Sequence, residues 1–172
     1  MLKDKMALVL VGVLYLNLVV ICLLWGLDGF VHVGLYGYGL VFSYDWANPY
    51  WHNSMILWTC MLGATALTAS SIVPHYMHSK EPSRLLRWLR FLLPVFALVY
   101  QGSGIFFLTQ INTLVWTGLY NYGVQPNIDW TTTYNLFSMP ALGLMSAAFV
   151  GLIIPAVSTL GIIEIEIVDE DE

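Results

Sequence analysis

The stretch GLYGYGLVFSYDWANPYWHNSM, residues 34–55, returns 84 positions later as GLYNYGVQPNIDWTTTYNLFSM, residues 118–139. Laid together without a gap, the two agree at ten of twenty-two positions, including Tyr36/Tyr120, Asp45/Asp129, Trp46/Trp130, Tyr50/Tyr134 and Ser54/Ser138. Matches that dense at a single offset mark an internal repeat, so the architecture follows from what flanks each copy.

Apolar chain flanks both copies. Hydrophobic residues make up 58% of the 172 and charged residues 10%, too little polar surface to solvate a globular domain of this size. The sequence therefore predicts an all-α integral membrane protein. Four runs, at about 7–27, 50–75, 88–112 and 138–163, are long enough to cross a hydrocarbon core of about 30 Å at about 1.5 Å per residue. Lys3 and Lys5 ahead of the first run resemble the start of a signal peptide. The run is too long for one and no small-x-small cleavage site follows, so it reads as a retained helix.

The offset carries the first span onto the third and the second onto the fourth. The expected fold is four transmembrane helices built from two parallel two-helix repeats, 1–84 and 85–163. They would be related by a pseudo-twofold axis along the membrane normal, with an acidic tail at 164–172. Asn17 maps onto Gln101 and Asp28 onto Asn112, and amides at such depth should face a partner helix, possible partners for each other. Gly143, Ala147 and Gly151, four apart on the last span, and Gly63 to Ala66 on the second suggest close helix approach.

The basic residues set an orientation. Lys3, Lys5, Lys80, Arg84, Arg87 and Arg90 lie at the N-terminus or between the second and third spans, while 28–49 and 113–137 hold none. By the positive-inside rule both termini face the cytoplasm across the cell membrane, and the repeated aromatic passages become external interfacial loops. Asn48-Pro49 reads as a helix cap followed by a first-turn proline.

Chemistry is sought where the halves differ. None of the four histidines has a counterpart: His32 maps to Trp116, His52 to Leu136, His75 to Thr159 and His78 to Ile162. Asp28 and His32, four apart, share a face of a continued first helix, and His52 begins the second helix nearby. Two imidazoles and a carboxylate suit a metal ion such as copper, or hydrogen bonding to a quinone headgroup; water-satisfied interfacial groups are the structural alternative. His75, Met77 and His78 near the end of the second span complement a helix C-terminus. Cys22 and Cys60 lie in apolar runs and read as small buried hydrophobes.

Other chemical signatures are missing from the sequence. It has no G-x-S-x-G, P-loop or CxxC, and a net charge of −5 excludes nucleic acid as a partner. The order VFSYDW, then an aromatic segment, then a span containing LGATAL resembles the A subunit of the particulate methane and ammonia monooxygenases. That resemblance implies a membrane oxidoreductase or monooxygenase-type subunit as one setting and carries no site residues across. The residues themselves point first to a small subunit of a larger membrane-embedded complex, respiratory or redox, in contact with lipid and other membrane subunits. Asp28, His32 and His52 are the candidate metal or cofactor ligands.

Overall fold

The computed structural model describes residues 2–37, 44–77, 83–121 and 128–170, and side chains over 5–33, 50–77, 83–117 and 131–158. The described chain is four helices: α1 (Leu2–Gly37), α2 (Tyr44–Tyr76), α3 (Arg84–Asn121) and α4 (Ile128–Glu170). All four contain a segment long and apolar enough to cross a membrane: Lys5–Val33, Tyr50–Tyr76, Arg84–Thr117 and Thr131–Ser158. By length and composition this is an integral membrane protein.

The helices overrun the spans expected from hydropathy at both ends. α1 carries Asp28 and His32 without a break, and α2 starts at Tyr44, so Asn48-Pro49 lies inside the helix instead of capping it. Hydropathy registers only the stretch that lipid demands. The backbone continues helically while its own hydrogen bonds remain intact. Much of each repeated aromatic passage is thus helical, and the joins at 38–43 and 122–127 fall outside the described residues.

Each helix packs against two neighbours in a ring, α1 on α2 and α4, and α3 on α2 and α4. Among the described residues the diagonal pairs, α1 with α3 and α2 with α4, do not meet at the backbone. Neighbours run antiparallel. A Cβ on Gly26 would meet Phe137 while one on Gly151 would meet Val13, so α1 and α4 run in opposite senses.

Burial follows a heptad rhythm. On α1 the buried series is Leu10, Val13, Asn17, Val20, Leu24, Leu27 and Val31, in alternating steps of three and four. That spacing keeps a seam turned inward when helices supercoil gently about one another. The α3 series is Pro94, Ala97, Gln101, Gly104, Leu108, Ile111 and Val115, each member 84 residues beyond its α1 equivalent. Tyr50, Ser54, Leu57, Met61, Ala64, Thr68 and Ser71 on α2 are matched in the same way by Tyr134, Ser138, Ala141, Met145, Ala148, Leu152 and Pro155 on α4.

Two expectations about packing change. Gly143 and Ala147 are exposed, and a Cβ on Gly143 would have nothing within 4 Å, whereas one on Gly151 would meet Val13. Asn17 and Gln101 are both fully buried, yet they do not pair. Gln101 Nε2 donates to the Met145 carbonyl at 3.2 Å, while neither polar atom of Asn17 finds a partner among the described residues. The reason is positional, because α1 and α3 are the diagonal pair.

The end that holds the α2–α3 connection is fastened by Arg90. Its Nε donates to the Pro74 carbonyl at 2.8 Å and its Nη2 to the Met77 carbonyl at 2.9 Å. These are carbonyls of the last turn of α2 and just beyond, left without intrahelical donors by the end of the helix. One guanidinium from the next helix serves both.

Candidate functional site

The polar centre of the bundle's other end is Asp28. On α2 the donors Tyr50, Ser54 and Trp58 are spaced at i, i+4 and i+8, which lines them along one face opposite α1. The Tyr50 hydroxyl donates to Oδ1 at 2.7 Å and the Trp58 indole Nε1 to Oδ2 at 2.6 Å. The Ser54 hydroxyl lies between the oxygens, 3.2 Å from Oδ1 and 3.0 Å from Oδ2. A carboxylate inside a segment apolar enough to span a membrane is costly to hold without partners, and three donors from a single helix compensate it.

The second half repeats part of this arrangement. Tyr134 donates its hydroxyl to Asn112 Oδ1 at 2.5 Å, at the same 84-residue offset as Tyr50 and Asp28. The rest is lost. The buried Ser138 hydroxyl has no partner among the described residues, and Leu142 stands where Trp58 would be.

Beside Asp28 an open groove of about 450 Å³ runs between the outer faces of α1 and α2. α1 contributes Trp25, Asp28, Gly29 and His32, which fall on one face by their i, i+3, i+4, i+7 spacing. α2 contributes Trp51 and Trp58. Gly29 keeps the floor open, since a Cβ there would meet nothing within 4 Å. His32 is exposed and its ring centre lies 5.8 Å from that of Trp51.

The candidate residues therefore part company. Asp28 and His32 share the groove, whereas His52 is exposed on α2 and is not part of its lining. Among the described residues no group of three or more His, Cys, Asp or Glu is placed to hold a metal ion. His75 is buried at the opposite end, its Nδ1 bonded to the Ser71 carbonyl at 2.8 Å, and His78 lies outside the described residues. Cys60 is buried as expected, while Cys22 is exposed on the outer face of α1.

Trp58 is the residue that sequence reasoning missed. The available signal was the i, i+4, i+8 run of three side-chain donors on one face of α2, broken at its last member in the second half. No family model, curated protein or solved structure matches the chain.

Proposed function

We propose that this chain is a small subunit of a larger membrane-embedded complex, respiratory or redox in character. In this reading it is built from two parallel two-helix repeats about a pseudo-twofold axis, with both termini on the cytoplasmic side of the cell membrane. The matched burial series and the paired Tyr50/Asp28 and Tyr134/Asn112 bonds support the repeat. The distribution of Lys and Arg supports the orientation.

The observation that carries the subunit reading is the outer surface. Trp25, Met55, Tyr76, Phe106 and Leu136 are each more than half exposed, on every helix of the bundle, and the described part is spent on the bundle itself. Such a surface suits burial against lipid and against the helices of other subunits. Gentle solubilisation followed by native mass analysis tests it, with co-purifying membrane chains as the expected result. Recovery only as an isolated monomer would falsify the subunit reading.

A second reading is a membrane oxidoreductase or monooxygenase-type subunit with an external metal or quinone site at Asp28, His32 and His52. It draws on one observation, that Asp28 and His32 line the same groove. Metal analysis and quinone extraction of wild type and a His32→Ala, His52→Ala variant test it. Equal, negligible contents in the two proteins would remove it.

A further inference from the structure

Four of the six basic residues, Lys80, Arg84, Arg87 and Arg90, fall within eleven consecutive positions, and the chain then carries no Asp, Glu, Lys or Arg from 91 to 128. That step from charge to apolar sequence sets a membrane boundary in the opening turns of α3. The helix itself starts there. Ser83 precedes it as a cap, its carbonyl accepting from the Arg87 amide at 3.1 Å and its hydroxyl from the Leu86 amide at 3.3 Å.

The charges at this point run against local electrostatics. A helix N-terminus is its positive end and favours carboxylates, yet the first turn of α3 has no acidic residue and opens with Arg84 and Arg87. Arg84 is exposed and makes no bond among the described residues. The single carboxylate among the described side chains, Asp28, lies at the opposite end of the bundle. An anion beside Arg84 would relieve the conflict.

The same side of the helix is also built for an apolar ligand. Arg84, Arg87, Trp88 and Phe91 are spaced i, i+3, i+4 and i+7, which lines them along one face. Trp88 is 42% exposed and meets Phe91 edge-on, ring centres 6.4 Å apart. Two guanidiniums therefore head a strip of aromatic surface that continues into the span. In the first half the positions matching Arg87, Trp88 and Phe91 hold Lys3, Asp4 and Ala7, so the aromatic strip is not part of the repeated scaffold.

We propose that Arg84, Arg87 and Trp88 form a site for an anionic phospholipid, its phosphate accepting from the guanidiniums and its acyl chains lying along Trp88 and Phe91. The planar fork of arginine matches a phosphate, and basic clusters at the end of a membrane helix attract anionic headgroups. One lipid molecule uses both ends of the strip, whereas a free phosphate uses only the first. The inference goes beyond the subunit reading, because a bound lipid serves an isolated bundle and a complex alike.

The test is lipid retention by the full-length protein, measured by native mass analysis after exposure to equimolar phosphatidylglycerol, phosphatidylcholine and phosphatidylethanolamine with identical acyl chains. Wild type should retain phosphatidylglycerol roughly five-fold over either of the others, the equivalent of about 1 kcal/mol. Arg84→Gln and Arg87→Gln should each lower that preference. Arg84 is exposed and glutamine is a good helix former, so the first variant decides the matter if the second does not fold. Trp88→Leu changes no charge and should still weaken retention of phosphatidylglycerol. Lys5→Gln, at an exposed position on α1 at the same end, should leave the preference unchanged. Equal retention of all three lipids by wild type overturns the site and makes the chain's own acids, Glu81 and those of 164–172, the counter-charge. A loss in Lys5→Gln equal to that in Arg84→Gln overturns it in favour of diffuse attraction. Binding of added inorganic phosphate with no lipid preference, and no effect of Trp88→Leu, overturns it in favour of a free anion. None of these outcomes depends on whether other chains co-purify.

Discussion

Trp58 Nε1 and Asp28 Oδ2, 30 residues apart in sequence and 2.6 Å apart in space, form one of the bonds that tie α2 to α1. At the equivalent position of the second half stands Leu142, which cannot donate. Trp58→Phe keeps most of the ring and removes the donor. It should destabilise the bundle by about 1–2 kcal/mol, within the range for hydrogen bonds to a charged group or across membrane helices. Reversible unfolding in mixed micelles would measure this, and a change below a few tenths of a kcal/mol would mean that the bond contributes little.

The two matched serines should behave differently. Ser54 bonds to the Asp28 carboxylate, while the buried Ser138 hydroxyl has no partner. Ser54→Ala should therefore cost about 1 kcal/mol, and Ser138→Ala should be neutral or slightly stabilising. Equal losses in the same unfolding assay would contradict the geometry.

Asn17 makes an unusual forecast possible. Both of its polar atoms are buried without partners. Asn17→Leu should leave stability unchanged or raise it by up to about 2 kcal/mol, since an unpaired buried amide is replaced by a side chain that asks for nothing. With no direct bond between Asn17 and Gln101, the Asn17→Leu and Gln101→Leu effects should add to within about 0.5 kcal/mol. A double-mutant coupling above about 1 kcal/mol would show that the two amides communicate.

Close packing of α1 on α4 depends on Gly26. A Cβ there would lie 2.5 Å from the Phe137 ring, whereas at Gly12 it would meet nothing within 4 Å. Gly26→Ala should destabilise by about 1–3 kcal/mol through overpacking. Gly12→Ala should be close to neutral, and a reversal of that order in thermal unfolding would refute the α1–α4 contact.

Arg90 is the fastening at the opposite end. Arg90→Ala leaves the Pro74 and Met77 carbonyls without their donor and should cost about 2–3 kcal/mol. Lysine should recover only part of the loss, because a single ammonium cannot reproduce the planar fork that reaches both. Full recovery by Arg90→Lys would point to charge alone.

The four spans were legible in the sequence because lipid imposes length and apolarity. Which face of each helix turns inward was not. Leu8, Val11 and Tyr15 face outward, while Asn17, Ser54, Thr68 and Gln101 are buried, so hydrophobicity does not mark the interior. Outside the bundle lies lipid, and the usual rule that apolar residues go inside loses its force. The candidate site was half legible. The spacing of Asp28 and His32 placed both on one helix face, but the groove needs the side chains of α2. The proposed grouping with His52 assumed that proximity along the second helix meant a shared direction, and His52 lies outside the groove lining.

The partners of Asp28 also bear on how the chain enters a membrane. Among the described residues every donor to that carboxylate comes from α2, so α1 released alone would carry an uncompensated charge within its span. The Gln101 amide nitrogen and Asn112 Oδ1 on α3 likewise find partners on α4. The smallest piece that holds these particular bonds is therefore a hairpin, α1 with α2 and then α3 with α4. The two hairpins then meet along α2 and α3, where the Arg90 guanidinium bonds the Pro74 and Met77 carbonyls.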